Sequence, residues 1–200
     1  MERKSLIRVN HIHSLQKCVT MSLSPARCKI LETMLLNEKP AKARDIANEV
    51  GSEFKPVNMH LIGLAKVGYA VSPAKGQYVI TPKGKAALGI PETTKECAQQ
   101  LLAQTPQDRA FHFYTALHKP LNMYANGLKG FAEKLETVDS ASLEFHVCRG
   151  DLEKWFTSLG DQELAKKMAL LQAKGFTGDT LRAKLKDIVD SRCTALIALA

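Results

Sequence analysis

The chain has 200 residues, 45% hydrophobic and 24% charged, enough to bury the core of one large domain or of two small ones. No window approaches the roughly eighteen uninterrupted apolar residues of a membrane helix, and basic residues break up residues 1–21, which argues against a signal peptide. The five cysteines are scattered without a CxxC pair, so neither a disulfide framework nor a structural zinc site is expected. These features predict a cytoplasmic protein.

The positive charge is concentrated in the first half of the chain. Residues 1–90 contain 14 lysines and arginines against 6 aspartates and glutamates, whereas residues 91–200 contain 14 of each, so the first half carries the whole net charge of +8. A basic domain joined to a neutral one is typical of a polyanion-binding module with a separate partner or sensor domain, because phosphate contacts dominate nucleic-acid affinity. The alternative is a basic surface with no specific partner.

The chain divides into a leader at residues 1–23, a first domain at 24–90, a hinge at 91–94 and a helical second domain at 95–200. The leader alternates weakly between apolar and polar residues and fits a helix no better than a strand. We expect the leader either to pack across a dimer or to lie on the first domain.

The first domain begins with three predicted helices. Ser24 and Pro25 are suited to cap and start the first helix, which ends near Asn37. The second helix runs over residues 42–50 and is followed by Gly51 as a left-handed C-cap residue. The third begins near Phe54 and ends at Gly68, with Pro56 tolerated in its first turn.

A hairpin and a further helix complete this domain. Two short β-prone runs, at residues 69–71 and 77–80, flank a turn rich in proline and glycine at 72–76. A capped helix start follows at residues 81–88. The predicted order is therefore helix, helix, helix, hairpin, helix.

This order and its motifs resemble the bacterial and archaeal winged-helix repressors of the ArsR and MarR type. The resemblance is carried by residues 45–51, 57–61, Leu64 and 67–70, which include a Leu-x-x-Leu pattern before a glycine, and by the Ile-Thr-Pro-Lys-Gly segment at 80–84 with Leu88. It covers residues 24–88. It implies an N-terminal winged helix-turn-helix, with the third helix in the major groove of double-stranded DNA, and a sequence-specific transcription regulator.

Helical spacing separates the two faces of the third helix. At about 100° per residue, Val57, Leu61 and Leu64 point inward, which leaves two apolar residues facing outward. In a major groove, Asn58 is suited to an adenine edge and Met59 to a thymine methyl group. Cations of this helix and of the start of the second helix suit phosphate, and the wing tip suits the phosphate backbone or the minor groove. The predicted DNA-binding residues are Lys42, Arg44, Lys55, Asn58, Met59, Ile62, Lys66, Lys75 and Gln77.

Other interpretations of this face stay open. Met59 and Ile62 would also be explained by burial against the second domain or a partner protomer. The domain would then be a protein-interaction module, in which Lys55, Lys66 and Lys75 can be neutralised without consequence. A third alternative is non-specific binding to nucleic acid, including an RNA-associated role, which would show steep salt dependence and little sequence preference.

The second domain is predicted to be mainly α-helical, so the fold class is mainly α with a small β-hairpin wing. Asp161 and Asp179 are predicted to be the N-caps of two of its helices. Apolar residues at helical spacing are Leu121, Ala125, Leu128, Ala132 and Leu135, then Leu164, Met168 and Leu171, and finally Leu181, Leu185, Ile188 and Leu196.

Residues 111–114 (Phe-His-Phe-Tyr) and 142–155, followed by 159–161 and Leu164, resemble a helical domain found in a family of archaeal proteins. The resemblance covers about residues 108–196. It implies an archaeal origin and brings no known activity.

Two roles are predicted for the second domain. A long apolar final helix favours a homodimer, and a two-fold dimer would double the DNA sequence that is read. The other role is the binding of a small-molecule effector. The residues expected to line that pocket are Phe111, His112, Tyr114, His146 and Trp155.

No catalytic, metal or cofactor site is predicted. Six potential ligand residues are present, but their spacing matches no established metal signature. No Ser/His/Asp spacing, phosphate-cradling glycine loop or carboxylate pair indicates an enzyme. A thiol or metal sensor using Cys148 or His146 is a further alternative. The six residues are His112, His118, Glu144, His146, Cys148 and Asp151.

Overall fold

The computed structural model describes residues 23–37 and 39–200. The protein is mainly helical, as predicted, and the described residues also form two small antiparallel sheets. No helix in these ranges is long and apolar enough to cross a membrane. The predicted leader, except Leu23, lies outside the described residues. The elements are α1 (Pro25–Asn37), β1 (Ala41–Lys42), α2 (Ala43–Val50), α3 (Phe54–Lys66), β2 (Ala70–Val71), β3 (Gln77–Ile80), α4 (Pro82–Ala87), α5 (Lys95–Leu102), β4 (Phe111–Ala116), β5 (Lys119–Ala125), α6 (Leu128–Lys134), α7 (Ser140–Cys148), α8 (Asp151–Leu159), α9 (Gln162–Lys174) and α10 (Gly178–Leu199).

The buried side chains form two clusters. The first, the N-terminal cluster, consists of residues between 30 and 90, and the second, the C-terminal cluster, of residues between 98 and 196. We call residues 23–37 and 39–90 the N-terminal unit and residues 91–200 the C-terminal unit. Each unit inserts one leucine toward the other: Leu170 packs on the first cluster and Leu36 on the second. The units therefore share an apolar contact between α1 and α9.

A three-stranded sheet closes the N-terminal unit. Its order is β1-β3-β2, with β3 antiparallel to both neighbours. Lys42 was predicted to begin the second helix, but it lies in β1 opposite Gln77. The N–H of Ala43 donates to the carbonyl of Gly76 at 3.1 Å, so α2 starts one residue later. A strand of two residues leaves no periodic pattern by which the sequence could reveal it.

The segment after the sheet is fastened to the end of α3. Thr81 caps α4 by accepting from the N–H of Gly84 at 3.1 Å, and its hydroxyl donates to the carbonyl of Gly68 at 2.7 Å. The Lys83 ammonium donates to the carbonyl of Val67 at 2.8 Å. These bonds satisfy carbonyls at the C-terminus of α3, which have no partner within the helix. We call Thr81 and Lys83 the α3 clamp.

Gly84 allows α4 to approach the chain leaving α3. A Cβ atom at this position would lie 2.2 Å from the carbonyl oxygen of Tyr69 and 2.8 Å from Cγ1 of Ile80. Backbone atoms cannot swing aside as a side chain can, so any larger residue displaces α4.

The C-terminal unit contains a hairpin that the sequence analysis missed. Leu121 and Ala125 were assigned to a helical stripe, but both lie on β5, which pairs antiparallel with β4. Along β5, Leu121 and Met123 are half-buried and Ala125 is buried, while the residues between them are exposed. A spacing of four residues fits a strand, in which every second side chain shares a face, as well as it fits a helix. The stripe therefore did not discriminate between the two structures.

The two predicted N-caps have different outcomes. Asp161 caps α9, because its Oδ1 accepts from the N–H of Leu164 at 3.0 Å. Asp179 is not an N-cap, since α10 starts at Gly178 and the cap position is Thr177. The N–H of Gly178 instead donates to Glu144 at 2.7 Å, a partner 34 residues away.

The apolar stripe of α10 is buried within its own unit. Leu181, Leu185, Ile188 and Leu196 all belong to the C-terminal cluster and are at most 4% exposed. Their helix packs on α5, α6, α7 and α9. The stripe that suggested a dimer is thus occupied inside the protomer.

A buried carboxylate joins the two units. Glu163 Oε1 accepts from Nζ of Lys85 at 2.8 Å and lies 2.9 Å from Nζ of Lys167, while its Oε2 accepts from Nη1 of Arg192 at 3.0 Å. Lys85 belongs to α4 in the N-terminal unit, and the other three residues belong to α9 and α10. We call these four residues the Glu163 cluster.

Arg192 extends this cluster to the segment between the units. Its Nε donates to Oδ2 of Asp161 at 2.9 Å, so the carboxylate that caps α9 also holds α10. Its Nη2 donates to the hydroxyl of Thr93 at 3.1 Å, within the predicted hinge. The guanidinium therefore contacts α9, the hinge segment and the Glu163 cluster at once.

The surrounding cations control the ionisation of Glu163. Burial raises the pKa of its carboxyl, but the charges of Lys167, Arg192 and Lys85 together outweigh burial and lower the pKa from the usual 4.5 to about 2. The carboxylate is therefore charged across the physiological range, as the three cations around it require.

We predict that Gly84→Ala destabilises the protein by about 1–3 kcal/mol, because the added methyl group overlaps the Tyr69 carbonyl. Urea unfolding followed by circular dichroism measures this loss. Gly130→Ala is the matched control, since its Cβ would meet nothing closer than 3.8 Å within α6. Equal midpoints for Gly84→Ala and wild type would contradict the packing described here.

We predict that Glu163→Gln is destabilising at pH 7 by on the order of 3 kcal/mol. The folded-state pKa is lower than the unfolded one, so the carboxylate stabilises the fold above pH 4.5 and this contribution is lost as the pH falls toward 2. The difference between variant and wild type in urea unfolding should shrink over that range.

Glu136→Gln is the control for this experiment. Its carboxylate pairs with Lys186 on the exposed surface, where a salt bridge contributes little. This variant should unfold close to wild type at every pH. If the effect of Glu163→Gln is independent of pH, the carboxylate charge is not what holds the units together.

Candidate nucleic-acid interface

The inner face of α3 fixes the direction of its outer face. Val57, Leu61 and Leu64 are buried in the N-terminal cluster, as their spacing predicted. They pack α3 against α1, α2 and β2. Gly51, with φ of 69°, turns the chain from α2 into α3. The orientation of α3 therefore depends on core packing on one side and on a left-handed glycine at its start.

The outer face of α3 presents apolar side chains to solvent. Met59 is 71% exposed and Ile62 is 40% exposed. Helix α3 packs mainly on α1, α2 and β2 of its own unit, and both side chains stay exposed. Asn58 lies beside them, half-buried, and its amide makes no hydrogen bond to another side chain or backbone group in residues 23–37 and 39–200.

An aromatic contact marks the start of α3. The Arg44 guanidinium, from α2, lies over the Phe54 ring at 5.6 Å, a cation–π distance. Phe54 is itself exposed, and Lys55 follows it. Pro56 occupies the first turn, where no intrahelical donor is lost, as expected. Arg44 is thus held beside the N-terminus of the predicted recognition helix.

The remaining predicted residues lie at the β2–β3 hairpin. Lys42 and Gln77 sit opposite each other on β1 and β3, while Lys75 lies in the exposed turn before β3. The turn is closed by the Ser72 hydroxyl, which donates to the carbonyl of Ala74 at 2.9 Å. The predicted residues therefore fall into two groups, one along α3 and one along the hairpin and β1.

The cations of these two groups have no carboxylate partner among the described residues. This set consists of Lys42, Arg44, Lys55, Lys66 and Lys75. In the C-terminal unit, by contrast, many cations of α8–α10 and the loop before α8 are paired. The pairs there include Arg149 with Asp151, Lys186 with Glu136 and Arg192 with Asp161.

Nearby acidic groups only partly offset this charge. Asp45 lies in α2 and Glu53 directly precedes α3. Glu49 accepts two hydrogen bonds from the Asn37 amide, at 3.0 and 3.1 Å. The surface around α3 and the hairpin therefore keeps an excess of uncompensated positive charge.

The predicted effector residues also come together in part. His112, Tyr114 and His146, with Phe111, line a pocket of about 390 Å³ between β4 and α7. Trp155 does not line it. It is buried behind Phe111, at a ring distance of 5.1 Å, and its Nε1 donates to the carbonyl of Arg109 at 3.0 Å.

His146 is fixed in one tautomer by two neighbours. Its Nε2 accepts from the backbone N–H of Tyr114 at 2.9 Å, so Nδ1 carries the proton and donates to Asp151, also at 2.9 Å. Burial lowers the pKa of this imidazole, although the Asp151 carboxylate acts to raise it. Because both ring nitrogens are engaged, His146 joins β4 to α8 and has no nitrogen left for proton transfer.

Three residues of these two sites, the α3 surface and the pocket, were not predicted from the sequence. Phe54 was not recognised as exposed, and Phe145 and Arg149 were not assigned to the pocket. The sequence signal for Arg149 was its position two residues before Asp151, a spacing that allows the ion pair seen at the start of α8. Phe54 offered no periodic signal, since its partner Arg44 lies on another helix.

In residues 23–37 and 39–200, no group of three histidine, cysteine, aspartate or glutamate side chains is arranged to hold a metal ion. Comparison with family models, with curated proteins and with solved structures finds no match to this chain.

Proposed function

We propose that the protein is a cytoplasmic, sequence-specific regulator of transcription that binds double-stranded DNA. The N-terminal unit would be a winged helix-turn-helix, with α2 and α3 as the helix-turn-helix and the β2–β3 hairpin as the wing. The observation that carries this proposal is the outer face of α3, where exposed apolar and amide groups lie between uncompensated cations.

We assign the recognition of DNA bases to the middle of α3. The Asn58 amide has both a donor and an acceptor and matches the N7 and N6 edge of adenine. Met59, the most exposed large apolar side chain of the described residues, is suited to a thymine methyl group. Ile62 follows on the same face and would extend this apolar contact.

Binding strength is assigned to the cations on either side. Lys55 and Lys66 lie at opposite ends of α3, and Lys75 lies at the tip of the wing. Lys42 and Arg44 lie between these regions. Each would neutralise a phosphate and release a counterion, which makes affinity strongly dependent on salt.

We propose a homodimer on the basis of recognition. One winged helix contacts few base pairs, and a two-fold dimer reads two half-sites about one helical turn apart. Since the apolar stripe of α10 is buried, the dimer contact would use another surface. Ile197 and Leu199, both exposed near the end of α10, are available for it.

A second function, docking onto another protein, is favoured by one observation. Phe54, Met59 and Ile62 give the N-terminal unit an exposed apolar surface, and such surfaces often bind protein partners. The two functions differ in their need for charge, because protein docking through these side chains does not require the lysines.

We predict that selection from random duplex DNA at fixed salt enriches one site, preferably palindromic. The double variant Asn58→Ala with Met59→Ala should lose this enrichment while still binding DNA weakly, because its phosphate contacts remain. Sequencing of the bound pools measures both. No enriched site for the wild type would overturn sequence-specific reading and favour non-specific binding or protein docking.

We predict that changing Lys55, Lys66 and Lys75 together to glutamine weakens DNA binding at least about tenfold and lowers the slope of log affinity against log salt by about 3. Fluorescence anisotropy over a salt series measures both quantities. A triple variant with unchanged affinity would favour protein docking.

The matched control changes Lys95, Lys119 and Lys154 to glutamine. These lysines are exposed, lie in the C-terminal unit and alter the net charge by the same amount. Their loss should leave the salt slope unchanged. An equal effect of both triple variants would show that net charge alone, and not the proposed interface, controls binding.

A further inference from the structure

The pocket beside β4 is mostly apolar and partly aromatic. Its walls include Phe111, Tyr114 and Phe145, and Leu117 stands at the hairpin turn with 64% of its surface exposed. The volume of about 390 Å³ lies within the range of small-molecule sites, which are usually apolar with a few polar groups at fixed positions.

Three of the polar side chains that line the pocket, those of His146, Arg149 and Asp151, lie in contact with one another. Arg149 donates from Nε to Oδ2 of Asp151 at 3.1 Å, and its guanidinium lies over the Phe145 ring at 5.1 Å. These contacts fix the plane of the guanidinium at the border of the apolar walls. Its two terminal nitrogens donate to no acceptor among residues 23–37 and 39–200.

The neighbouring carboxylate is already compensated. Oδ2 of Asp151 takes two donors, His146 at 2.9 Å and Arg149 at 3.1 Å. Burial raises the pKa of the Asp151 carboxyl, but these two partners together outweigh burial and lower it. The Asp151 acceptor is therefore occupied, whereas the two terminal nitrogens of Arg149 remain as donors, so this end of the pocket favours a ligand with an acid group over a cation.

We propose that this pocket binds a small aromatic acid. The ring would contact Phe111, Tyr114 and Phe145, which favour flat apolar groups, and the acid group would accept from the terminal nitrogens of Arg149. The site lies in the C-terminal unit, apart from α3 and the hairpin. The proposal of a ligand site is therefore independent of the proposal of DNA binding.

The experiment uses two fluorescent probes of similar shape. One, 8-anilinonaphthalene-1-sulfonate, carries an anionic group, and the other, N-phenyl-1-naphthylamine, is neutral. Trp155 is the single tryptophan of the chain, and its ring lies 5.1 Å from that of Phe111, a wall of the pocket. Quenching of its emission therefore reports probe binding, and the Arg149 and Ala116 variants below show whether the probe is bound in this pocket.

We predict one saturable site for the anionic probe, with quenching of Trp155. Arg149→Gln should weaken the anionic probe about tenfold and leave the neutral probe within about twofold, because only the charged hydrogen bond is lost. Ala116→Phe, which fills the pocket, should weaken both probes. Circular dichroism and thermal melts of each variant establish that it is folded.

Arg44→Gln is the matched control, because it removes an exposed arginine that also lies over a phenylalanine but belongs to the other unit. It should bind both probes as the wild type does. The proposal is overturned if Trp155 is not quenched, if Arg149→Gln binds the anionic probe normally, or if Arg44→Gln weakens it as much as Arg149→Gln.

Discussion

One buried carboxylate, together with the apolar contact between α1 and α9, sets the arrangement of the two units. Glu163 is in contact with Lys85, Lys167 and Arg192, and only Lys85 comes from the N-terminal unit. Removing one charge from such a cluster leaves the others buried and uncompensated, so the cluster tolerates little rearrangement. Its geometry therefore fixes α4 against α9 and α10. Through the α3 clamp, the same contact limits where the outer face of α3 can point.

The distribution of ion pairs gives each unit a different chemical character. In the C-terminal unit, cations such as Arg149, Lys186 and Arg192 are balanced by nearby carboxylates. Around α3 and the hairpin, none of the five predicted cations has such a partner among the described residues. Charge that the protein does not neutralise itself is available to a polyanion. This contrast is the structural counterpart of the charge asymmetry between the two halves of the sequence.

Local signals predicted the N-terminal unit well. The period of Val57, Leu61 and Leu64 identified the buried face of α3, and Gly51 and Thr81 marked a helix end and a helix start. Each of these signals rests on side chains a few positions apart, where helix geometry and capping chemistry act directly. The positions of the outward residues of α3 followed from the same period.

The C-terminal unit was predicted less well because its determinants are distant in sequence or ambiguous in period. The spacing of Leu121 and Ala125 fits a strand as well as a helix, and β4 and β5 are defined only by their pairing. The Glu163 cluster joins Lys85 to a partner 78 positions away, which no local pattern reveals. The final stripe was correctly read as apolar, but the sequence could not show that its partner is the same protomer.

The large sequence separation of these contacts also determines the order in which they can form during translation. Arg192 meets Thr93 across 99 positions, so this bond has to wait until most of the second half has left the ribosome. The core of the N-terminal unit uses mainly residues 30–90, all of which emerge earlier. Closing so long a loop carries an entropic cost that the buried ion pairs have to offset. During translation, Lys85 therefore remains hydrated until α9 and α10 arrive, and the two units lock together as a late step.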